Sequence, residues 1–305
     1  MRHLKTLELI AAVARAGSIR KAAEDVNLTA SALNRRIQSF EAEFGWEIFE
    51  RLPRGMRLNP AGELILRHFR TQTSDIARIQ SQVADMSGER RGHVSIACSQ
   101  ALIPYFLPRE ISAYRREHPG VTFAVSVRDR AQAEKDLAEF NSDIALVYEP
   151  VHMVDFEVLH AIPQPVFAVF APDHPLAQAR GPVRLRDCLD HPCVLPALQL
   201  GVRHLLEMAA RRIARPLSPV LETDSFELIR HYALHEAAVG FQIPIGLVRA
   251  GHGDLAFREV SSRDMPAGRL LLGQMKGRAL PVASARFAVQ LSAALGALGG
   301  EWAAQ

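Results

Sequence analysis

The chain has 305 residues, 48% of them apolar, with net charge +3 and three cysteines, too few for a disulfide framework. No apolar run approaches the roughly 20 residues a membrane-spanning helix needs, and Met1-Arg2-His3-Leu4-Lys5 shows no signal-peptide pattern, so a cytoplasmic location is expected. Residues 1–92 hold 15 Lys+Arg against 11 Asp+Glu and the rest 21 against 22, which puts the positive excess at the N-terminal end.

Leu4, Leu7, Ala11 and Ala14 recur at helical spacing and predict a first helix ending near Gly17. Ser18 is a suitable N-cap for a short second helix containing Ala22 and Ala23, which Asn27 ends. Thr29 is placed to cap a third. In that helix Leu33, Ile37, Phe40 and Phe44 fall on one stripe, with Ser31, Asn34, Arg35 and Gln38 opposite. Short hydrogen-bonding groups around an arginine are the residue types that reach base edges and phosphates. A basic hairpin follows from about Trp46 to Leu58. Ile48, Phe49 and Leu52 are expected to anchor it, Pro53-Arg54-Gly55 to turn it, and Arg51, Arg54 and Arg57 to point outward at DNA phosphates or the minor groove.

Asn59-Pro60 is a strong helix start. Ile65, Phe69, Gln72, Ile76, Ile79, Val83 and Met86 then alternate spacings of four and three, a stripe expected to pair with a second copy. Gly88 to Gly92 reads as a hinge. Beyond it, strands at 94–98, 121–127 and 144–148 alternate with helices at 102–117 and 132–140. That is the grammar of a parallel sheet with covering helices. A second unit is expected from strands at 165–170, 193–195 and 220–223 and helices at 202–214 and 226–238. A strand at 270–274 and a helix at 282–298 return to the first. Crossings at 162–165 and 265–269 would make two hinged lobes, with a ligand between them beyond the carboxyl ends of the strands. Ser99, Gln100, Arg128, Tyr148, the loop Gln199-Leu200-Gly201 and Thr223 stand at such ends. N–H groups and an arginine there favour an organic anion.

The segment Ser18, Ala22, Ala23, Thr29, Ser31, Ala32, Leu33, Ile37, Phe49, Arg51, Leu58 and Gly62 resembles the winged helix-turn-helix of the LysR-type transcriptional regulators. Ala30, Asn34 and Asn59 depart from that family's usual Gln, Ser and Thr. The likeness continues through Ser95-Ile96-Ala97-Cys98-Ser99, Leu107-Pro108, Glu117-His118-Pro119-Gly120-Val121, Ser142-Asp143-Ile144-Ala145-Leu146 and Pro172-Asp173-His174-Pro175-Leu176-Ala177. It implies a winged helix-turn-helix DNA reader (1–59, with Ala30 on its base-facing helix) and a linker helix (60–87). A hinge (88–92) follows, then a two-lobe α/β effector domain like the periplasmic binding proteins (lobe I 93–162 and 269–305, lobe II 163–268).

The resemblance further implies promoter DNA as partner, antiparallel pairing of linker helices, assembly into tetramers, and an effector pocket lined at Ser99, Gln100, Arg128 and 199–201. An effector would rearrange the oligomer, bend the DNA and change access for RNA polymerase. No cofactor, metal or membrane partner is expected. Within the family a redox sensor using Cys188 and Cys193 is the alternative. A solute-binding protein or an enzyme is the more distant one. Gly-x-Ser-x-Gly, a phosphate loop and His-Glu-x-x-His are absent, His235-Glu236 lacks its second histidine, and Gly251-His252-Gly253 lacks a third glycine. His174, His191 and His204 read as loop or surface residues.

Overall fold

The protein is described by a computed structural model covering residues 2–53, 55–86, 91–247 and 255–303. It divides into two compact units, residues 1–77 and 78–305.

The first unit opens with α1 (Arg2–Ala16), α2 (Ile19–Asp25) and α3 (Ala30–Phe44), followed by the hairpin strands β1 (Phe49–Leu52) and β2 (Gly55–Leu58). Its core is Leu9, Ile10, Ala12, Val13, Ala22, Ala23, Leu33, Ile37, Ile48 and Phe49. The predicted face of α1 is therefore rotated. Leu7 and Ala14 only flank the core, and the side chain of Leu4 lies outside the described residues. Phe44 is also corrected. It is half exposed and stacks on Phe40 with ring centroids 5.8 Å apart, because Gly45 (φ +81°) ends the helix immediately after it. Ser18 occupies the cap position of α2 without making a cap bond, whereas the Thr29 hydroxyl accepts the Ala32 N–H at 3.2 Å. Asn27, at φ +54°, turns the chain after α2. In the hairpin Ile48 and Phe49 are buried as expected, but Leu52 is exposed. Gly55 lies against the carbonyl of Gly17, which accepts the Met56 N–H at 2.9 Å and ties the wing to the α1–α2 turn.

Asn59 starts α4 (Pro60–Met86). Its Oδ1 accepts the Gly62 N–H at 2.8 Å, and its Nδ2 donates to the Glu47 carbonyl at 2.8 Å. The stripe expected to pair with a second copy is shorter than its sequence span. Ile65 packs on the reader core and Phe69 is buried. Gln72 meets His68 at 2.9 Å. Ile76, Ile79 and Val83 are exposed, and the Met86 side chain lies outside the described residues. Residues 88–90 of the expected hinge lie outside them too, while Arg91 and Gly92 already belong to a strand.

That strand, β3 (Arg91–Cys98), is central to lobe I. After a 3-10 turn at Gln100–Leu102 come α5 (Phe106–Glu117), β4 (Gly120–Val127), α6 (Arg130–Ala138) and β5 (Ile144–Tyr148). The chain then forms β6 (Phe156–Gln164) and crosses to lobe II. There it runs through β7 (Phe167–Phe170), α7 (Leu185–Cys188), β8 (Cys193–Pro196), α8 (Gly201–Arg212), β9 (Pro219–Thr223), α9 (Phe226–His235), β10 (Gly240–Gln242) and β11 (Ala256–Glu259). It returns through β12 (Gly268–Met275) to α10 (Val282–Ala303).

The lobe I sheet has the order β4-β3-β5-β12-β6. Its first three strands are parallel, but β12 runs antiparallel to both β5 and β6. In lobe II, β10 and β11 flank β7 antiparallel while β8 and β9 are parallel. The parallel arrangement expected for 94–98, 121–127 and 144–148 is present, whereas β12 and β7, the two strands met next after each crossing, run antiparallel to their neighbours. A direct crossing between lobes needs no covering helix to reverse the chain.

Lobe II is clasped by one buried carboxylate. Arg184 Nε and Nη2 fork onto Asp264 at 2.8 and 2.6 Å, and the Leu185 N–H adds a third bond at 2.8 Å. The Arg184 hydrogen bonds hold the Asp264 carboxyl below the usual range, against the opposing effect of burial. With a folded pKa below the unfolded one, this stabilisation is complete above about pH 4 and is lost as pH falls through the depressed value. Urea midpoints measured from pH 6 to pH 3 should therefore fall more steeply for the parent than for Asp264→Asn. Equal acid slopes would refute the assignment.

Candidate DNA-reading face and effector cleft

On α3 the first-turn hydroxyls are engaged locally. Thr29 Oγ1 accepts the Ala32 N–H and lies 3.2 Å from Ser31 Oγ. Ala30, Arg35 and Gln38 are exposed and Asn34 is half-buried. Asn34, Arg35 and Gln38 have no hydrogen-bond or ion-pair partner among the described residues, which leaves their donors and acceptors unspent. Asn34 and Gln38 line a groove of about 870 Å³ between α3 and the hairpin, and Arg51 lines it from the hairpin side. The hairpin is less cationic than expected. Arg57 Nη2 donates to Glu50 at 2.9 Å across the β1–β2 pair, and Arg54 lies outside the described residues. Ser18 is half-buried at the α1–α2 turn. Arg51 is thus the described wing arginine that stays exposed and unpaired.

In the second unit the structure brings Ser99, Arg128, Tyr148, Leu200 and Gly201 around one small cavity at the ends of β3, β4 and β5. Gly201 fits there because a Cβ would collide with the Tyr148 carbonyl. The cavity volume is about 10 Å³, the size of a single water. Several residues expected to face an effector are already bonded. Arg128 Nε donates to the buried Asp136 at 2.6 Å. The Tyr148 hydroxyl is buried and donates to the Gln164 carbonyl at 2.9 Å, and burial raises its pKa well above the phenolic range. Thr223 Oγ1 accepts the Ser225 N–H at 3.0 Å, a turn-closing role. Gln199 is exposed. Gln100 instead spans the lobes, its Oε1 accepting the Phe226 N–H at the start of α9.

Sequence reasoning missed the other cross-lobe contacts. Arg230 on α9 donates to the Tyr105 hydroxyl at 2.9 Å, and Gln164 Oε1 accepts the Ile245 N–H at 3.0 Å. It also missed Arg130, which lines the small cavity, donates to the Glu149 carbonyl at 2.8 Å and keeps a buried Nε without a partner among the described residues. Burial lowers its pKa, partly offset by Glu149, Glu134 and Asp129. Its position two residues beyond Arg128, at the start of α6, was the available signal.

The cysteines are free thiols buried in the lobes. Burial pushes Cys193 up to about 11 and raises Cys188 further, and Cys193 Sγ donates to the carbonyls of Cys188 and His191 at 3.4 and 3.3 Å. Buried protonated thiols are poor nucleophiles, which argues against the redox alternative. Of the three histidines, His204 is exposed and His191 half-buried. His174 is buried, contrary to expectation. It stacks on Phe170, its Nδ1 accepts the Leu176 N–H at 3.2 Å, and burial lowers its pKa. No cluster of three metal-binding side chains occurs among the described residues.

These two architectures define a DNA reader joined to a two-lobe effector-binding body. Residues 4–63 match the bacterial regulatory helix-turn-helix protein, lysR family, and residues 87–296 match the LysR substrate binding domain. The transcriptional activator CmpR of Synechocystis is 25% identical over 74% of each chain. The regulator CbbR of Rhodospirillum rubrum is 27% identical over 92% of this chain and 87% of its own. Among solved structures, full-length OxyR from Pseudomonas aeruginosa superposes with a TM-score of 0.68 at 19% identity over 94% of each chain. CbnR complexed with its target DNA gives 0.58 at 17% identity over 94% and 98%. The chain belongs to the LysR family of transcriptional regulators. It carries that family's DNA-binding helix-turn-helix and effector-binding domain. No helix among the described residues is long and apolar enough to cross a membrane.

Proposed function

We propose that the protein binds promoter DNA in the cytoplasm as a homodimer or a tetramer built from dimers. In this reading each α3 enters a major groove and responds to a small organic anion held between the lobes. The observation that carries the reading is the outward face of α3, where Asn34, Arg35 and Gln38 hold unspent donors beside a groove that Arg51 borders. Two linked readers supply the affinity that one short half-site lacks. The exposed Ile76, Ile79 and Val83 on α4 offer the apolar surface for pairing. The choice of an anion is supported by two arginines, Arg128 and Arg130, beside Ser99 at the strand ends. Because the cavity there holds about one water, an effector must part the lobes. The bonds that change are then Gln100 to Phe226 and Arg230 to Tyr105. That motion would alter the spacing of paired readers and the access of RNA polymerase.

The test is footprinting of the full-length protein on the DNA upstream of its own gene, with and without a panel of small mono- and dicarboxylates. Protection of two spaced half-sites is expected, with one of the carboxylates shifting their pattern. Arg35→Ala should weaken binding by roughly tenfold or more and lower the salt slope by about one. Absence of protected DNA, or an unchanged slope in that variant, would overturn the reading of α3.

A further inference from the structure

Thr29 and Ser31, two hydrogen-bonding residues at the start of α3, are turned toward one another, and the Thr29 hydroxyl also accepts the Ala32 N–H. Ala30 between them carries only a methyl group. The first turn of the helix is thereby poor in base-reading chemistry, and discrimination passes to the second and third turns. There Asn34 and Gln38 present two carboxamides one helical turn apart, both lining the groove bordered by Arg51. The next polar residue on this side, Glu41, has Oε1 accepting the Ile48 N–H at 2.9 Å and so holds the hairpin.

We propose that the Asn34 and Gln38 carboxamides are the specificity-determining groups of this protein and that they read two adenines in each half-site. The inference rests on α3 being the base reader. A carboxamide places one donor and one acceptor in a plane, which matches the N7 acceptor and N6 amino donor of adenine. Guanine offers two acceptors at the same edge and would leave the amide oxygen facing O6. Residues four apart are separated by about 6 Å along the helix axis. Base pairs repeat every 3.4 Å or so, so the two adenines fall one to two base pairs apart. Arg35 points about 100° away from Asn34 around the helix and is left for phosphate or a neighbouring guanine. Arg51, across the groove, fixes the register on a phosphate.

The full-length protein selected against duplexes with randomised half-sites tests this. Wild type should enrich adenine at two positions one or two base pairs apart. Asn34→Ala should erase the preference at one of them and weaken binding to the best site by roughly tenfold. Gln38→Ala should do the same at the other position. Asn34→Asp, which keeps the side-chain length, should redirect its position to cytosine, whose N4 amino group donates to a carboxylate. That gain of a new preference cannot come from misfolding. An enriched motif that neither alanine variant changes, or guanine at both positions, would overturn the carboxamide assignment alone. Binding with no enriched motif in wild type would overturn α3 as base reader together with it.

Discussion

Arg278→Met is expected to loosen the effector domain by about 3–5 kcal/mol, the usual cost of stripping the partner from a buried charge. Arg278 follows β12 in a turn made by Gly277 at φ +74°. Its Nη2 donates to Asp143 Oδ1 at 2.6 Å and its Nη1 to the Ser142 carbonyl at 2.9 Å. The guanidinium also lies 4.8 Å from the centroid of the Phe140 ring. Both charged side chains are at most 9% exposed. Burial lowers the Arg278 pKa, and Asp143 offsets part of that effect. The other carboxylate oxygen accepts from Ser284 Oγ at 2.9 Å and from the Ser95 N–H at 3.1 Å. One ion pair therefore joins β3, the entry to β5, the exit of β12 and the start of α10. Methionine fills the space of the arginine stem and isolates the loss of charge. Hydrogen exchange reads the result: protection of β3 and β5 amides should fall by roughly two to three and a half orders of magnitude. Asp143→Asn combined with Arg278→Met should cost less than the sum of the two single changes. Additive losses would show that the pair is not coupled.

The same ion pair shows what the sequence discloses. Ser142-Asp143-Ile144-Ala145-Leu146 was legible as a strand and as part of a family resemblance, because a short apolar run with β-branched residues is a local signal. The arginine that Asp143 requires is 135 residues away, and nothing local distinguishes Arg278 from the other cations of the chain. The reader was legible almost to the residue, since caps, turns and helical periodicity all act within a few positions. Its errors came where a helix ends, as at Phe44, or where a hairpin has only one buried face, as at Leu52. The rotated face of α1 has a similar cause. Leu9-Ile10 and Ala12-Val13 form adjacent apolar pairs, so periodicity alone admits two faces, and packing against α2 and α3 decides. The strand β6 was missed because Phe156-Glu157-Val158-Leu159-His160-Ala161-Ile162-Pro163-Gln164 breaks alternation and carries a proline, which an edge strand tolerates. In the candidate site, position at the strand ends pointed to Ser99, Arg128 and Gly201, which line one small cavity. It could not reveal that Arg128 is bonded to Asp136, or that Gln100 reaches the start of α9. The first depends on how α6 folds back beside the end of β4, and the second on how two lobes, distant in sequence, come together.

Gly62→Val should abolish specific DNA binding while leaving the effector domain folded. Gly62 lies in the first turn of α4, two residues beyond Pro60. A Cβ added there would collide with the Ile48 carbonyl and sit 2.9 Å from Leu58 Cδ2. The Ile48 carbonyl cannot retreat, since it accepts the Asn59 N–H at 3.0 Å and its own side chain is fully buried in the reader core. Nor can the helix start slide, because Asn59 is bonded both to the Gly62 N–H and to the Glu47 carbonyl. Overpacking a rigid site costs about 1–3 kcal/mol for small additions and more for a branched side chain. A core as small as the reader's has little stability in reserve. Gly45→Ala supplies the comparison. Its φ of +81° makes alanine unfavourable, but nothing lies within 4 Å of the added methyl. That change should cost only about 1–2 kcal/mol and leave binding measurable. Fluorescence anisotropy on the protected promoter fragment separates the two variants. Parent-like affinity in Gly62→Val would show that α4 can shift away from β1 without harming the reader, and that the close approach at Ile48 is not what sets the wing against α3.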